Sequence, residues 1–358
     1  MKVALIDVDS KIPNLALMKL SSYFKKCYKS EKPKIKLYSK PWHRRLPKKP
    51  RKEKLDNDTD IILASKVFQD SHIPDIGEDF QKNMVIGGVG SNNDNDFHRN
   101  LDSIDDDISF CLPEIKHIDN IMPDYSLYNS DYSMGFTTRG CMRKCKFCFV
   151  PKHEGKLHIV SDNIKDFWNK KHHKLVLLDN NILALPKHFM KITNQIIENE
   201  LEVDFNQGLD HRLLNDFILK QLKKLKTPDR LRFAFDNFNS FSTVEKAINL
   251  LQKHGIKESF WYVLCGFNTT IHQDLERVNF LREHNQIAYV QKYNGRTDST
   301  SLNVFASWVN QRKFYRKMTF REYLKKGLTE YDRKGFLIPL KEVYDETLEE
   351  LLNDRKIG

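Results

Sequence analysis

Short apolar runs alternate with amphipathic stretches along most of the chain. The run "KVALIDV" (2–8) reads as a strand buried on both faces, and the stretch after it sets Leu17, Leu20, Tyr23 and Phe24 on one helical face. "KIKLYS" (34–39), "DIILAS" (60–65) and "NMVIGGVGS" (83–91) follow as strand-length runs between turn-rich or charged segments. Strands that alternate with helices predict a small α/β domain with a parallel sheet over 1–110. The polar, acidic stretch 92–107 reads as loop, and 111–131 as a linker.

From 132 onward the rhythm repeats. "YSMGFTT" (132–138), "KLVLLD" (174–179), "LEVDFNQ" (201–207), "RLRFAFD" (230–236), "SFWYVLCG" (259–266) and "IAYVQKY" (287–293) are six strand-like runs separated by helical patterns. Six strand–helix units over 132–300 predict a partial (β/α)6, TIM-like barrel. A helical extension over 301–358 follows, including "VYDETLEELLNDRK" (343–356). Several runs end in polar or small residues: Asp179 and Asn180, Asn206 and Gln207, Asp236, Gly266. The carboxyl edge of a parallel sheet is where α/β folds bind ligands.

A chain of 358 residues can bury two cores without disulfides, and 40% hydrophobic with 30% charged residues suits a soluble protein. The longest apolar run, "FWYVLCGF" (260–267), is strand-length and too short for a transmembrane helix. "MKVALIDVDS" reaches Asp7 and Asp9 too soon for a secretory signal, so the expected location is the cytoplasm, with no membrane partner. Clustered cysteines there point to a metal or to catalysis rather than to disulfides. The net charge of +11 suits an anionic partner. Its one dense run, "HRRLPKKPRKEK" (43–54), reads either as a solvated loop or as a nucleic-acid contact.

Three of the six cysteines fall within eight positions, in "TTRGCMRKCKFCFVPKHEG" (137–155). Cys141, Cys145 and Cys148 form a C-x3-C-x2-C loop directly after a strand. Three thiolates from one loop can hold three irons of a cubane iron–sulfur cluster and leave the fourth iron open. A structural zinc site is the alternative, and it would need His153 as a fourth ligand. Cys265 reads as a small buried hydrophobe or, alternatively, as a group facing a barrel interior. Arg139, Arg143, Lys144 and Lys146 surround the thiols, either as solvated charges or as partners for thiolate or an acidic substrate.

The cysteine loop, with Phe147 just before the last thiol and the strand–helix rhythm after it, resembles the radical S-adenosylmethionine superfamily over 132–300. The resemblance implies a [4Fe-4S] cluster on Cys141, Cys145 and Cys148, with S-adenosyl-L-methionine bound at the open iron. It also implies cleavage to a 5′-deoxyadenosyl radical that abstracts hydrogen from a substrate, and an external electron donor such as flavodoxin or ferredoxin. On this resemblance Asp179 and Asn180 stand where family members contact the methionine amino group, and Gly266 and Phe147 stand near the adenine. Gln207, Asp210 and Asp236 are candidates for the ribose or the substrate; as strand-end and capping residues they have an ordinary structural reading too.

The first domain, read as Rossmann-like or flavodoxin-like, resembles the cobalamin-binding domains of one branch of that superfamily through "VIGGVGS" (85–91). That branch's aspartate-x-histidine-x-x-glycine ligand pattern is absent, since His43, His72 and His98 stand in other contexts. A degenerate domain is the expectation, and a cobalamin-assisted methyltransferase is the alternative. Transfer-RNA methylthiotransferases are disfavoured, because Cys27 and Cys111 are too few for a second cluster. A third reading is a non-catalytic RNA- or protein-binding module with a structural metal. The substrate has no signature in the sequence.

Overall fold

The computed structural model describes residues 1–28, 32–39, 52–68, 71–81, 84–88, 118, 121–293 and 300–324. It divides into two compact units, Met1–Thr137 with Ile159–Val176, and Thr138–His158 with Leu177–Gly358. The run 343–356, Cys111, and most of the basic run 43–54 lie outside the described residues.

The first unit contains β1 (Lys2–Asp7), α1 (Leu15–Cys27), β2 (Lys34–Tyr38), β3 (Ile61–Ser65), a short α2 (Glu78–Gln81) and β4 (Met84–Gly87). Its strands pair in the order β2-β1-β3-β4, all parallel. Strand alternation sorts the core. Val3 and Leu5 join Ile61, Leu63 and Val85 against Leu17, Leu20, Tyr23 and Phe24 of α1, while Ala4 and Ile6 join Ile62, Ala64 and Met84 on the opposite face. Each such side chain contributes roughly 1.5–3 kcal/mol by leaving water. Asn14 starts α1 by accepting the Leu17 N–H at 3.1 Å. The expected linker is itself packed: Tyr125 is buried and its hydroxyl accepts the Met134 N–H at 3.0 Å.

All six expected strands of the later repeat are present, each shorter than its apolar run. They are β5 (Ser133–Gly135), β8 (Lys174–Leu177), β9 (Glu202–Phe205), β10 (Arg232–Ala234), β11 (Phe260–Cys265) and β12 (Ile287–Lys292). Two-residue strands β6 (Thr138–Arg139) and β7 (His158–Ile159) frame the cysteine loop. The shortening falls where polar residues leave the ladder for loops, at Asp179, Asn206 and Asp236.

The architecture is mixed α/β with parallel sheets. The strands of the repeat pair as β5-β8-β9 and as β10-β11-β12, and these pairings among the described residues do not by themselves show a barrel. β9 directs an edge donor elsewhere: the Val203 N–H donates to the Lys226 carbonyl at 2.8 Å, and Glu202 bridges Lys226. Just beyond β9, the Leu209 N–H donates to the Arg232 carbonyl of β10 at 2.7 Å.

Helices α3 (Val150–His153), α4 (Pro186–Glu198), α5 (Asp216–Leu222), α6 (Phe241–Lys253), α7 (Ile271–Glu283), α8 (Thr300–Asn310) and α9 (Arg312–Lys317) complete the described chain. α7 opens on a reciprocal cap between Thr270 and Gln273 and packs on β11 and β12 through its buried Leu275, Val278 and Leu281. The fully buried Arg277 of α7 donates to the Phe235 carbonyl at 2.5 Å and the Leu264 carbonyl at 2.7 Å, and pairs with Asp274. It satisfies carbonyls at the carboxyl ends of β10 and β11 and so fixes that edge from behind. No helix among the described residues is long and apolar enough to cross a membrane.

Candidate functional site

The cysteine loop is closed at its base by one carboxylate. Glu154, just after α3, accepts the Gly140 N–H at 2.9 Å, Arg139 Nη1 at 3.1 Å and Asn180 Nδ2 at 2.7 Å. Gly140 has φ +74°, and a Cβ there would sit 2.4 Å from the Lys156 carbonyl oxygen, so the turn admits only glycine without rearrangement. Asp179 anchors the strand before the loop by accepting the Thr138 N–H at 2.5 Å and its hydroxyl at 2.7 Å. The two residues expected at a methionine amino group thus hold the loop.

Within the loop, Cys141 Sγ accepts the Arg143 N–H at 3.3 Å and lies 3.8 Å from Asn181 Nδ2. Burial raises the pKa of Cys145 and of Cys148; the Cys141 and Asp236 charges push both the same way, Cys145 adds to the rise at Cys148, and Arg212 opposes it at Cys145. The thiols therefore feel one another. Among the described residues, however, no group of three or more His, Cys, Asp or Glu side chains stands ready to hold one metal ion. His153, the zinc alternative's fourth ligand, is exposed and sits edge-on to Phe149 at 5.6 Å.

The loop abuts a cavity of ≈ 400 Å³ at the carboxyl edge of β10 and the loop after β11. Cys145 and Phe147 line one side, with Lys144 and Lys146 exposed beside them; Asp210, His211, Asp236 and Asn268 are among the residues that complete the lining. Phe147 meets Phe267 edge-on at 5.7 Å, which continues to Tyr293 at 4.8 Å. A cavity of this size, with an aromatic wall on one side and charged and polar side chains converging on it from the others, is a form that small-molecule sites take.

Asp210 links the loop to the residues after β9. It accepts Arg143 Nε at 3.0 Å, Arg212 Nε at 2.6 Å and Asn181 Nδ2 at 3.2 Å. Burial opposes its charge, but the two guanidiniums outweigh burial and hold its pKa below the ordinary value. His211 is buried against Trp261, its ring centroid 5.4 Å from the indole, and its Nε2 has no hydrogen-bond partner. Burial, with Arg212 adding to it, pushes the imidazole pKa down to about 4. Burial drives Asp236 the other way, up to about 6; the Leu264 N–H at 3.3 Å and the charges of Arg277 and Arg212 only partly offset it. A cavity holding a neutral imidazole and a carboxyl near its midpoint has an acceptor and a proton-exchanging group at hand.

Of the residues singled out in the sequence, Cys145, Phe147, Asp210 and Asp236 meet at this cavity. Cys141 and Cys148 lie in the same loop. Gly266, at φ +79°, turns the chain into Phe267 and Asn268, which line it. Gln207 is exposed and does not line the cavity. Cys265 is fully buried and burial raises its thiol pKa well above the ordinary value; its strand neighbour Leu264, not Cys265, is bonded to Asp236. The sequence reading missed Glu154, Asn181, His211 and Arg277. Asn181 carries the nearest signal, standing one place beyond the expected Asn180.

A scan against protein-family models finds no match for the chain, and a search of curated proteins finds none either.

Proposed function

We propose that the chain is a radical S-adenosylmethionine enzyme whose thiol loop carries a [4Fe-4S] cluster and whose adjoining cavity receives S-adenosyl-L-methionine. The observation that carries this reading is the shared wall: Cys145 and Phe147 of the loop line the same cavity as Asp236 and the turn after Gly266. The donor chemistry fits a thiophilic cluster. Three thiols come from one loop, burial and neighbouring charges keep Cys145 and Cys148 protonated until a cation displaces the protons, and N–H groups already point at Cys141 Sγ. Cys141, Cys145 and Cys148 are the residues that would hold it. When bound, such a cluster supplies the electron that cleaves the sulfonium to a carbon radical able to take hydrogen from a substrate.

The protein's own residues serve this chemistry by holding and excluding. Phe147 and Phe267 offer an apolar wall to a planar base, Asp236 accepts from hydroxyls, and Arg212 and Lys144 lie where a carboxylate would meet positive charge. Asp210 ties the loop to the floor through Arg143. A partial barrel belongs to this same reading. Among the described residues nothing at the carboxyl edge of the first sheet favours a cobalamin-assisted reaction: Asp9 is already engaged, accepting the Val67 and Phe68 N–H groups at 2.7 and 2.8 Å, and residues 89–91 of the glycine-rich run lie outside the described residues.

Anaerobic reconstitution with iron and sulfide tests the proposal. The expected product is a brown protein carrying iron and sulfide in equal amounts, lost when the three cysteines are replaced by alanine. A colourless protein with stoichiometric zinc contradicts it and favours a structural metal.

A further inference from the structure

We propose that a lysine-lined groove in the first unit binds the phosphate backbone of a single RNA strand. The groove has a volume of ≈ 860 Å³ and gathers Lys25 and Lys26 of α1 with Lys165, Lys170 and Lys171 from a segment distant in sequence. All five lysines are exposed. The one carboxylate in the lining, Asp124, is already shared between Lys25 at 2.6 Å, the Ser21 hydroxyl at 2.6 Å and the Ser126 hydroxyl at 2.5 Å. Lys26, Lys165, Lys170 and Lys171 have no carboxylate partner among the described residues.

Bringing ammonium groups from two chain segments to one concave surface raises the local potential, and an anion seated between them lowers it. Lys25 and Lys26 also suit the last turn of α1. No such helix end accounts for Lys170 and Lys171.

The lining selects the kind of anion. It contains no arginine, so nothing presents the planar fork that recognises one carboxylate or phosphate bidentately; lysine reads charge density. A nucleic-acid strand supplies one charge per nucleotide in a regular series. Ser22 and Asn169 add neutral donors and acceptors for sugar hydroxyls, and the exposed Met122 offers an apolar contact. The concave form matches a strand laid between two banks of lysine better than the flat face of a bilayer.

The test is fluorescence anisotropy of the full chain with a labelled oligouridylate of about 20 nucleotides, across roughly 50 to 200 mM salt. Neutralising four or five phosphates predicts a slope of log affinity against log salt of about −3, at ~0.7 per lysine engaged on a single strand. The variant K165E/K170E/K171E should weaken binding at least tenfold at the low-salt end and flatten the slope by about 2. K26Q/K165Q, a milder change at exposed positions, should flatten it by about 1. K220E/K223E/K224E, which makes the same charge change in the second unit, should leave affinity within about twofold. Three results would overturn the proposal: equal losses in the two triple variants, no binding by the native chain, or RNA binding that ignores the groove variants while binding to phosphatidylserine vesicles or a polyglutamate peptide falls.

Discussion

Two parallel-sheet edges in this chain face the same physical problem and solve it in opposite ways. In the first unit the strand order β2-β1-β3-β4 reverses between β1 and β3, the place where open α/β sheets usually admit a ligand. There the polar side chains beside β1 bond to one another: Asp7 accepts the Ser10 N–H at 3.0 Å and the Tyr128 hydroxyl at 2.7 Å, and Asn14 Nδ2 donates to Ser10 at 2.9 Å and Ser65 at 2.8 Å. In the second unit the edge beside the thiol loop keeps His211 Nε2 without a partner and Asp236 with one backbone donor at a cavity, and Asn181 Oδ1 without a partner beside Cys141. Buried polar groups left unpaired cost stability. A network that completes itself is a scaffold, whereas one that stays open is paid for by what binds to it.

The sharpest way to break this contrast is to fill each edge's glycine. Gly88 and Gly140 both have positive φ, at 104° and 74°, and a Cβ at either would lie 2.4 Å from a carbonyl oxygen, of Lys66 and Lys156 respectively. Each alanine variant should lose about 3 kcal/mol or more from strain and overlap. The consequences should differ. G140A should lose iron loading as well as stability, and G88A should raise hydrogen exchange in β3 and β4 while iron loading is kept. Loss of loading in both variants would erase the distinction.

Next in size is Asp210. Replacing it with asparagine leaves Arg143 and Arg212 without their shared carboxylate and should cost roughly 2–3 kcal/mol in a denaturant titration, with the cysteine loop becoming protease-sensitive. An unchanged loop would mean that this pairing is incidental.

The two titratable groups of the cavity make a pH prediction with opposite signs. The His211 pKa is lowered to about 4, so its folded form binds fewer protons than the unfolded chain; its contribution is lost as pH falls from about 6.5 to 4, ~3 kcal/mol in all. The Asp236 pKa is raised to about 6, so the folded form holds its proton more firmly, and acidification from about 6 to 4 returns a similar amount. The native chain should therefore show little slope from these two. D236N should become less stable on acidification, and H211F more stable. Parallel slopes in the two variants would refute the opposed environments.

The smallest effect belongs to the closed edge. Y128F removes one hydroxyl from Asp7 and should cost about 1 kcal/mol without altering iron loading.

Much of the fold is legible in the sequence because alternation and periodicity report burial. The helical face of Leu17, Leu20, Tyr23 and Phe24 is buried as its spacing requires, and every expected strand is present except that 83–91 is described only to Gly88. The thiol loop is legible because its spacing is dense and local. The path from β9 to β10 is not, since nothing in the apolar pattern says that Val203 will bond to Lys226. The division of labour between Asn180 and Asn181 is equally hidden: adjacent amides leave the strand end in different directions, one to Glu154 and one toward Cys141. His211 and Arg277 had no motif at all. Their roles come from contacts between residues far apart in sequence.

The central claim is that the thiol loop and the cavity work as one site. Its most direct test is the yield of 5′-deoxyadenosine when the reconstituted chain is given dithionite and S-adenosyl-L-methionine, compared with Cys145→Ala. The account predicts formation by the native chain and none above background by the variant; equal formation by both, or none by a native chain fully loaded with iron and sulfide, would contradict it.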